Sequence, residues 1–253
     1  MLKLSATIIT LNEEKNIADC LASLSFVDEI VVVDSGSSDR TEEICRSLPA
    51  VRFFNHPWQG YGLQKNFAAN LAGNDWILNI DADERVTPEL RDSIAGADLT
   101  GFPAFRMARE NYFGTRRIRR CGWYPDYNVR LYDRRSCRFK ERAVHESLEH
   151  DGNIGTLAGN LRHFTYTGIS DYVRRMDRYS TLAAQELIKA GVSPTILHIA
   201  FKPPATFVKM YILRGGFLEG YAGFLLSCLY ACYTLCKYAK GRELARNCSE
   251  LGP

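Results

Sequence analysis

Between Leu4 and Asp81 the chain alternates short runs rich in Ile, Val and Thr with segments of helical period, and this alternation constrains the fold more than any other feature. Leu4–Leu11 (LSATIITL), Glu29–Asp34 (EIVVVD), Val51–Asn55 and Trp76–Ile80 (WILNI) read as strands. Asn12–Ser25 carries apolar residues at helical spacing (Ile17, Leu21, Leu24), Thr41–Ser47 follows the turn Ser35-Gly36-Ser37-Ser38, and Gln64–Ala72 is a third helical segment. Strands alternating with helices predict an α/β fold with a mostly parallel sheet flanked by helices. In such sheets ligands settle beyond the carboxyl ends of the strands. Asn12, Asp34 and Asp81 each fall at or just past such an end, so the three are expected to face one crevice.

Chemistry concentrates at these ends. Asp81-Ala82-Asp83-Glu84 follows the apolar strand directly. Two carboxylates one residue apart on an irregular turn can both reach a hard divalent cation, Mg2+ or Mn2+, which prefers oxygen ligands and bridges well to diphosphate oxygens. In isolation such a pair is more often a solvated acidic turn, and its position at a strand end is what gives it meaning. In Val33-Asp34-Ser35-Gly36-Ser37-Ser38-Asp39-Arg40-Thr41 an acid ends a strand, and a small-residue turn through Ser35 and Gly36 lets backbone approach a nucleotide closely. Asp39 is the expected cap of the next helix.

Together with Thr7-Ile8-Ile9-Thr10-Leu11-Asn12-Glu13-Glu14, these motifs resemble family 2 glycosyltransferases of the Rossmann-like GT-A fold, over at least Leu4–Arg85. The resemblance implies that Thr10, Asn12 and Glu14 line a nucleoside pocket, that Asp34 hydrogen-bonds the base and that Asp83 binds the metal most directly. Asp81 then lies nearer the sugar or ribose, and transfer inverts the anomeric centre. Further along, Gly60-Tyr61-Gly62-Leu63-Gln64-Lys65-Asn66-Phe67, Gly122-Trp123-Tyr124-Pro125-Asp126-Tyr127, Val144-His145-Glu146 and Gly216-Phe217-Leu218-Glu219-Gly220 are similar to the lipopolysaccharide core β-glucosyltransferase branch of that family. That likeness implies a UDP-sugar donor, UDP-glucose first, and a lipid-linked or core oligosaccharide acceptor.

An inverting displacement needs a base for the acceptor hydroxyl. Glu146 is the first candidate and Asp126 the second, although Asp126 can instead hold an acceptor hydroxyl. Many family members carry Glu-Asp where this chain has His145-Glu146. Some GT-A enzymes supply a late histidine to the metal, which makes His163 a candidate ligand, with a packed histidine as the alternative. Lys65 suits a diphosphate as a point charge, whereas Arg130 and the Arg116–Arg120 cluster suit bidentate contact with a diphosphate or an acidic acceptor.

At 253 residues the chain accommodates one catalytic domain with an appendage. We expect a GT-A domain over 1–168, with a nucleotide-sugar half at 1–99 and an acceptor half at 100–168, followed by a helical, membrane-proximal extension over 169–253. The acceptor half carries the strand-like segments Phe102–Arg109, Tyr127–Asp133 and Arg138–His145, and the extension opens with the amphipathic helix Asp171–Lys189, after which Pro194, Pro203 and Pro204 act as punctuation. A net charge of +3 is too small for a broad nucleic-acid surface, yet basic residues crowd Arg106–Arg142, which points to an anionic partner there. None of the 8 cysteines forms a CxxC pair, and no secretory start precedes the first strand, so they read as reduced cytosolic thiols.

Gly220–Cys236 is uncharged for 17 residues, short of the roughly 20 that span a bilayer. Lys202, Lys209 and Arg214, interleaved with Phe201, Phe207, Met210, Tyr211, Ile212 and Leu213, suit a helix lying on anionic lipid. These features predict a cytoplasmic enzyme held peripherally at the inner membrane, the alternative for the tail being a helix packed on the catalytic domain. Two other readings stay open: a nucleotide-sugar- or glycan-binding module without activity, and a nucleotidyltransferase, which also pairs carboxylates with a metal.

Overall fold

The first four strands, β1 (Leu4–Thr10), β2 (Glu29–Asp34), β3 (Val51–Asn55) and β4 (Trp76–Asp81), are parallel and lie in the order β3-β2-β1-β4. They belong to a computed structural model that describes residues 3–140 and 147–250. Successive side chains leave a strand on opposite faces. Ala6, Ile8, Ile30, Val32, Leu78 and Ile80 accordingly enter one buried cluster, and Val31, Val33 and Ile77 another. Helices α1 (Ile17–Ala22) and α2 (Thr41–Arg46) close the first cluster through Ile17, Cys20, Leu21 and Cys45, and α3 (Tyr61–Leu71) closes the second through Ala68 and Ala69. Burial on both faces explains why β1, β2 and β4 are mainly apolar along their length instead of alternating, whereas the edge strand β3 is only partly buried.

Register sets the strand ends level. Thr10 lies opposite Asp34, Asp34 opposite Asn55, and Ile9 opposite Asp81. One carboxyl edge therefore presents Thr10, Asp34 and Asp81 together.

After β4 the pairing turns antiparallel. The short β5 (Glu84–Val86) leads into α4 (Pro88–Ala95), capped by the Thr87 hydroxyl, which accepts from Leu90 N, and started by a proline in its first turn. Then come β6 (Ala104–Phe113), β7 (Arg116–Arg117) and β8 (Asp126–Asp133), with β8 antiparallel to both β4 and β6. A separate ribbon pairs β9 (Arg138–Phe139) with β10 (Leu148–Glu149), and β11 (Ile154–Tyr166) runs antiparallel to β5, with His163 opposite Glu84. Of the expected strand Arg138–His145 only its start is seen as β9, because 141–146 lie outside the described residues.

The chain divides into two compact units. The first runs to Glu110 and resumes from Asp126 to His163, and it holds the clusters above. The second comprises Asn111–Pro125 and the chain from Phe164 onward. In the second unit α7 (Tyr221–Glu250) packs on α5 (Ile169–Lys189) and α6 (Ile196–Val208), and Ile118, Cys121, Trp123, Met210, Ala222 and Leu226 form its core. The uncharged stretch Gly220–Cys236 thus belongs largely to a packed helix. Among the described residues no helix is long and apolar enough to cross a membrane.

Three local expectations are corrected. The first helix begins at Ile17 instead of Asn12, because Asn12 takes a left-handed φ of 57° and Glu13 O accepts from Asn16 N and Ile17 N in a turn. Helix α3 begins earlier than expected, at Tyr61, directly after Gly60 at φ 114°. Pro203 and Pro204 lie inside α6, where packing of the helix against α7 outweighs their local cost.

Candidate functional site

Two loops leave the carboxyl edge of β1 and β2 and are laced together. Asp34, almost fully buried, accepts through Oδ2 from Gly36 N (2.8 Å) and Ser37 N (2.6 Å), and the Ser37 hydroxyl donates to its Oδ1. Asn12 N donates to Ser37 Oγ (2.7 Å), and Asn12 Oδ1 accepts from Ser38 N (2.8 Å). Glu14 N donates to Asp39 Oδ2 (3.1 Å), and Arg40 N returns a bond to Glu14 Oε2 (3.2 Å). Asp39 Oδ1 accepts from Thr41 N (3.0 Å), so it caps α2 although Arg40 occupies the N-cap position.

Asn12, Glu14 and Asp34 therefore hold the shape of these loops. Gly36 has a φ of +96°, and a Cβ there would meet nothing within 4 Å, so the turn is open above its backbone. The Thr10 hydroxyl is buried without a hydrogen-bond partner among the described residues. Ser35 N donates to Thr10 O (3.0 Å), and Ser35 Oγ accepts from the buried Gln64 (3.1 Å), which ties α3 to the turn.

Beside this turn, charges alternate. Lys65 Nζ lies 3.1 Å from Asp81 Oδ1, and Asp81 Oδ2 is bound by Arg130 Nη2. Arg130 Nη2 also reaches Glu84 Oε1 (2.6 Å), and Arg109 Nη1 lies 3.5 Å from the same oxygen. Arg109 in turn donates twice to Asp126 Oδ2, at 2.9 and 2.6 Å. Lys65, Arg130 and Glu84 are all buried, as is Asn79, whose Oδ1 accepts weakly from Arg130 (3.4 Å). Burial alone disfavours an ionised Asp81, but the Arg130 guanidinium and the Lys65 ammonium hold its carboxyl well below the usual carboxylate range.

Asp83 stands apart from this chain of charges. Its Oδ2 lies 3.4 Å from His163 Nε2, and both side chains are largely buried. A carboxylate and an imidazole side by side are a reasonable donor pair for a divalent cation, whereas Asp81 has both oxygens on cationic side chains. Among the described residues no three His, Cys, Asp or Glu side chains are grouped to hold a metal by themselves. Glu146 and His145 lie outside the described residues.

The first unit thus brings together Thr10, Asn12, Glu14, Asp34, Ser35 and Gly36 at one strand edge, and Lys65, Asp81, Asp126 and Arg130 in one ionic network. Sequence reasoning missed Glu84 and Arg109, which join the two ends of that network. Glu84 closes the acidic motif Asp81-Ala82-Asp83-Glu84, and that place beside Asp83 is the signal that points to it. Arg109 has none, since its role follows from lying opposite Asp126 in the β6/β8 register.

The model of the family described as Glycosyl transferase family 2 matches residues 5–165. The Rhizobium meliloti protein named lipopolysaccharide core biosynthesis glycosyltransferase LpsC is 34% identical over 94% of this chain and 92% of its own length. An uncharacterized glycosyltransferase of Rickettsia bellii is also 34% identical, over 98% of this chain and 88% of its own. Among solved structures, S. aureus TarS 1-349 in complex with UDP-GlcNAc aligns over 97% of this chain and 92% of that one with a TM-score of 0.50 at 16% identity, a likeness of fold. The fold is a GT-A-like α/β architecture, and the chain belongs to glycosyl transferase family 2.

Proposed function

We propose that this protein is an inverting hexosyltransferase that moves glucose from UDP-glucose to a lipopolysaccharide core oligosaccharide or a related anionic, lipid-linked glycan. The observation that carries the reading is the level ending of β1, β2 and β4, which gathers Thr10, Asp34 and Asp81 on one edge beside Lys65 and Arg130. The Thr10 hydroxyl and the open backbone at Gly36 serve the nucleoside, within loops held by Asn12, Glu14, Asp34 and Ser35. Lys65 and Arg130 balance the donor diphosphate, while their shared partner Asp81 faces the sugar or ribose. The relative named LpsC supports the acceptor class.

Asp83 and His163 would hold the Mg2+ or Mn2+. A bound divalent cation supplies charge stabilisation for the departing UDP. The chain's own groups do the rest. Glu146 takes the proton of the acceptor hydroxyl as that oxygen bonds to the anomeric carbon, the bond to UDP breaks on the opposite face, and the product is inverted. Asp126, held by two Arg109 donors, orients the acceptor hydroxyl in preference to deprotonating it. Residues 1–168 form the catalytic domain and 169–253 the extension by which the enzyme sits peripherally on the cytoplasmic side of the inner membrane.

The test is a UDP-release screen over several UDP-hexoses with a core oligosaccharide acceptor, run on the parent, Glu146→Gln and Asp126→Asn. We expect release to be greatest with UDP-glucose, to be lost in Glu146→Gln and to persist at a reduced rate in Asp126→Asn. Release of pyrophosphate from a sugar phosphate and a nucleoside triphosphate would instead identify a nucleotidyltransferase. UDP binding with no release over any acceptor would identify a binding module.

A further inference from the structure

The second unit contains a cleft of about 370 Å³ lined by Arg119, Arg120, Gly122, Tyr124, Pro125 and Arg214. Three of these six residues are arginines and none is acidic. Among the described residues the side chains of Arg119, Arg120 and Arg214 form no ion pair, whereas those of Arg109, Arg116, Arg130, Arg134 and Arg135 all do. Three like charges gathered without a counter-ion repel one another, and a bound anion relieves that repulsion.

The arrangement is built from beneath. Glu219, the single acid between Lys189 and Arg242, is buried, and its Oε1 accepts from Arg119 N (2.8 Å) and Arg120 N (3.1 Å). Arg116 Nη2 reaches its other oxygen at 3.4 Å. Its charge is thereby spent on the backbone of the turn, and the side chains of Arg119 and Arg120 remain exposed. Cys121 N donates to Arg214 O (3.1 Å), fixing the third arginine to the same turn. Gly122 suits the turn there, because its φ of +80° is a conformation that other residues rarely adopt, and the Arg214 side chain lies against it.

The cleft adjoins an apolar surface. Leu213 is 76% exposed and Leu218 61%, with Ile212, Phe217 and Tyr221 exposed beside them in the chain. A Cβ placed on Gly215 would lie 3.5 Å from Leu218 and 3.6 Å from Arg120, so the cationic and apolar groups share one surface. Scattered apolar side chains are ordinary, but a dense group on a basic, almost acid-free segment matches the charge and polarity of an anionic bilayer.

We propose that this cleft binds the phosphate of an anionic phospholipid, with Leu213, Phe217 and Leu218 entering the acyl boundary beside it. Arginine forks match phosphate oxygens two at a time, which gives the cleft a preference that a diffuse lysine patch lacks. The proposal rests on the reading of the chain as a membrane-associated transferase, and it divides the basic run between two tasks. Arg130 serves the nucleotide-sugar crevice, and Arg119 and Arg120 serve lipid.

The experiment is co-sedimentation of the full chain with phosphatidylcholine vesicles, with and without phosphatidylglycerol. The variants are Arg119→Gln/Arg120→Gln/Arg214→Gln, the corresponding triple Lys variant, and Leu213→Ser/Phe217→Ser/Leu218→Ser. We expect the parent to prefer phosphatidylglycerol and the triple Gln variant to lose about 100-fold in partitioning to it, as the removal of three surface arginines implies. The triple Lys variant, which keeps charge without the forks, falls between them, and the Ser variant weakens binding to both vesicles while keeping the preference. Equal binding of parent and triple Gln variant, or a triple Lys variant equal to the parent, overturns the proposal. So does saturation of the cleft by inorganic phosphate with vesicle binding unchanged, which would assign it to a soluble phosphate. UDP release is measured in parallel: a chain that releases UDP but ignores vesicles refutes only the lipid site, and one that binds vesicles without releasing UDP refutes only the transferase reading.

Discussion

Lys65 and Asp81 form an ion pair whose halves meet solvent differently: Nζ and Oδ1 are 3.1 Å apart, and the lysine side chain is 3% exposed while the aspartate side chain is 31% exposed. A buried ammonium needs a charged partner. Asp81 therefore stabilises the fold as well as marking the edge of the crevice.

Asp81→Asn, which leaves Lys65 without that carboxylate, is expected to lower the unfolding free energy by about 2–3 kcal/mol, the partial exposure of Asp81 reducing the usual cost of breaking a buried pair. Urea titration followed by circular dichroism measures this. A variant as stable as the parent would show that the pair contributes nothing.

The same pair gives stability a pH dependence. The folded-state value of Asp81 is depressed, so its contribution is fully present above the unfolded carboxyl value of about 4 and is lost as pH falls below it. The stability difference between parent and Asp81→Asn should shrink on acidification through that range. A constant difference would contradict the assignment.

Glu84 is fully buried between Arg130 and Arg109, and its Oε2 accepts from Asp81 N at 3.0 Å. Glu84→Gln leaves two guanidinium groups facing a neutral amide and should cost about 3 kcal/mol. Thermal unfolding tests this, and a melting temperature unchanged from the parent would refute it.

If Asp83 and His163 hold the divalent cation, Asp83→Ala and His163→Ala should each weaken Mn2+ affinity, read by electron paramagnetic resonance with UDP present, by about 100-fold or more, above the range for an outer-shell partner. Parental affinity in His163→Ala would make His163 a packing residue. Parental UDP release by Asp83→Ala with metal chelated would exclude the metal role altogether.

Gly159 has a φ of +84°, and a Cβ there would lie 2.4 Å from Leu90 N at the start of α4. Gly159→Ala combines backbone strain with a clash against main chain and should destabilise by about 2–4 kcal/mol. An alanine variant that melts with the parent would show that α4 can shift to make room.

Much of the crevice is legible in the amino-acid order alone. The runs ending in Asp34 and Asp81 are mainly apolar, interrupted in the second by the buried Asn79, because both faces of those strands are covered, and the small-residue turn at Ser35–Ser38 carries its own conformational signature. Periodicity overextends the helix after β1, since it does not reveal the left-handed Asn12 that delays the helix start. The prolines of α6 mislead for a similar reason, local preference yielding there to packing.

The sequence by itself determined the order of strands and helices along the chain and the acids at their ends, because these depend on hydrophobic period and local turn chemistry, and its ordered motifs carried the family resemblance. Only the tertiary structure decided which charges meet. The Lys65–Asp81–Arg130–Glu84–Arg109–Asp126 network and the approach of His163 to Asp83 depend on the antiparallel registers of β8 with β4 and β6 and of β11 with β5. Register is settled by side-chain pairing between strands distant in the chain, and no local pattern encodes it.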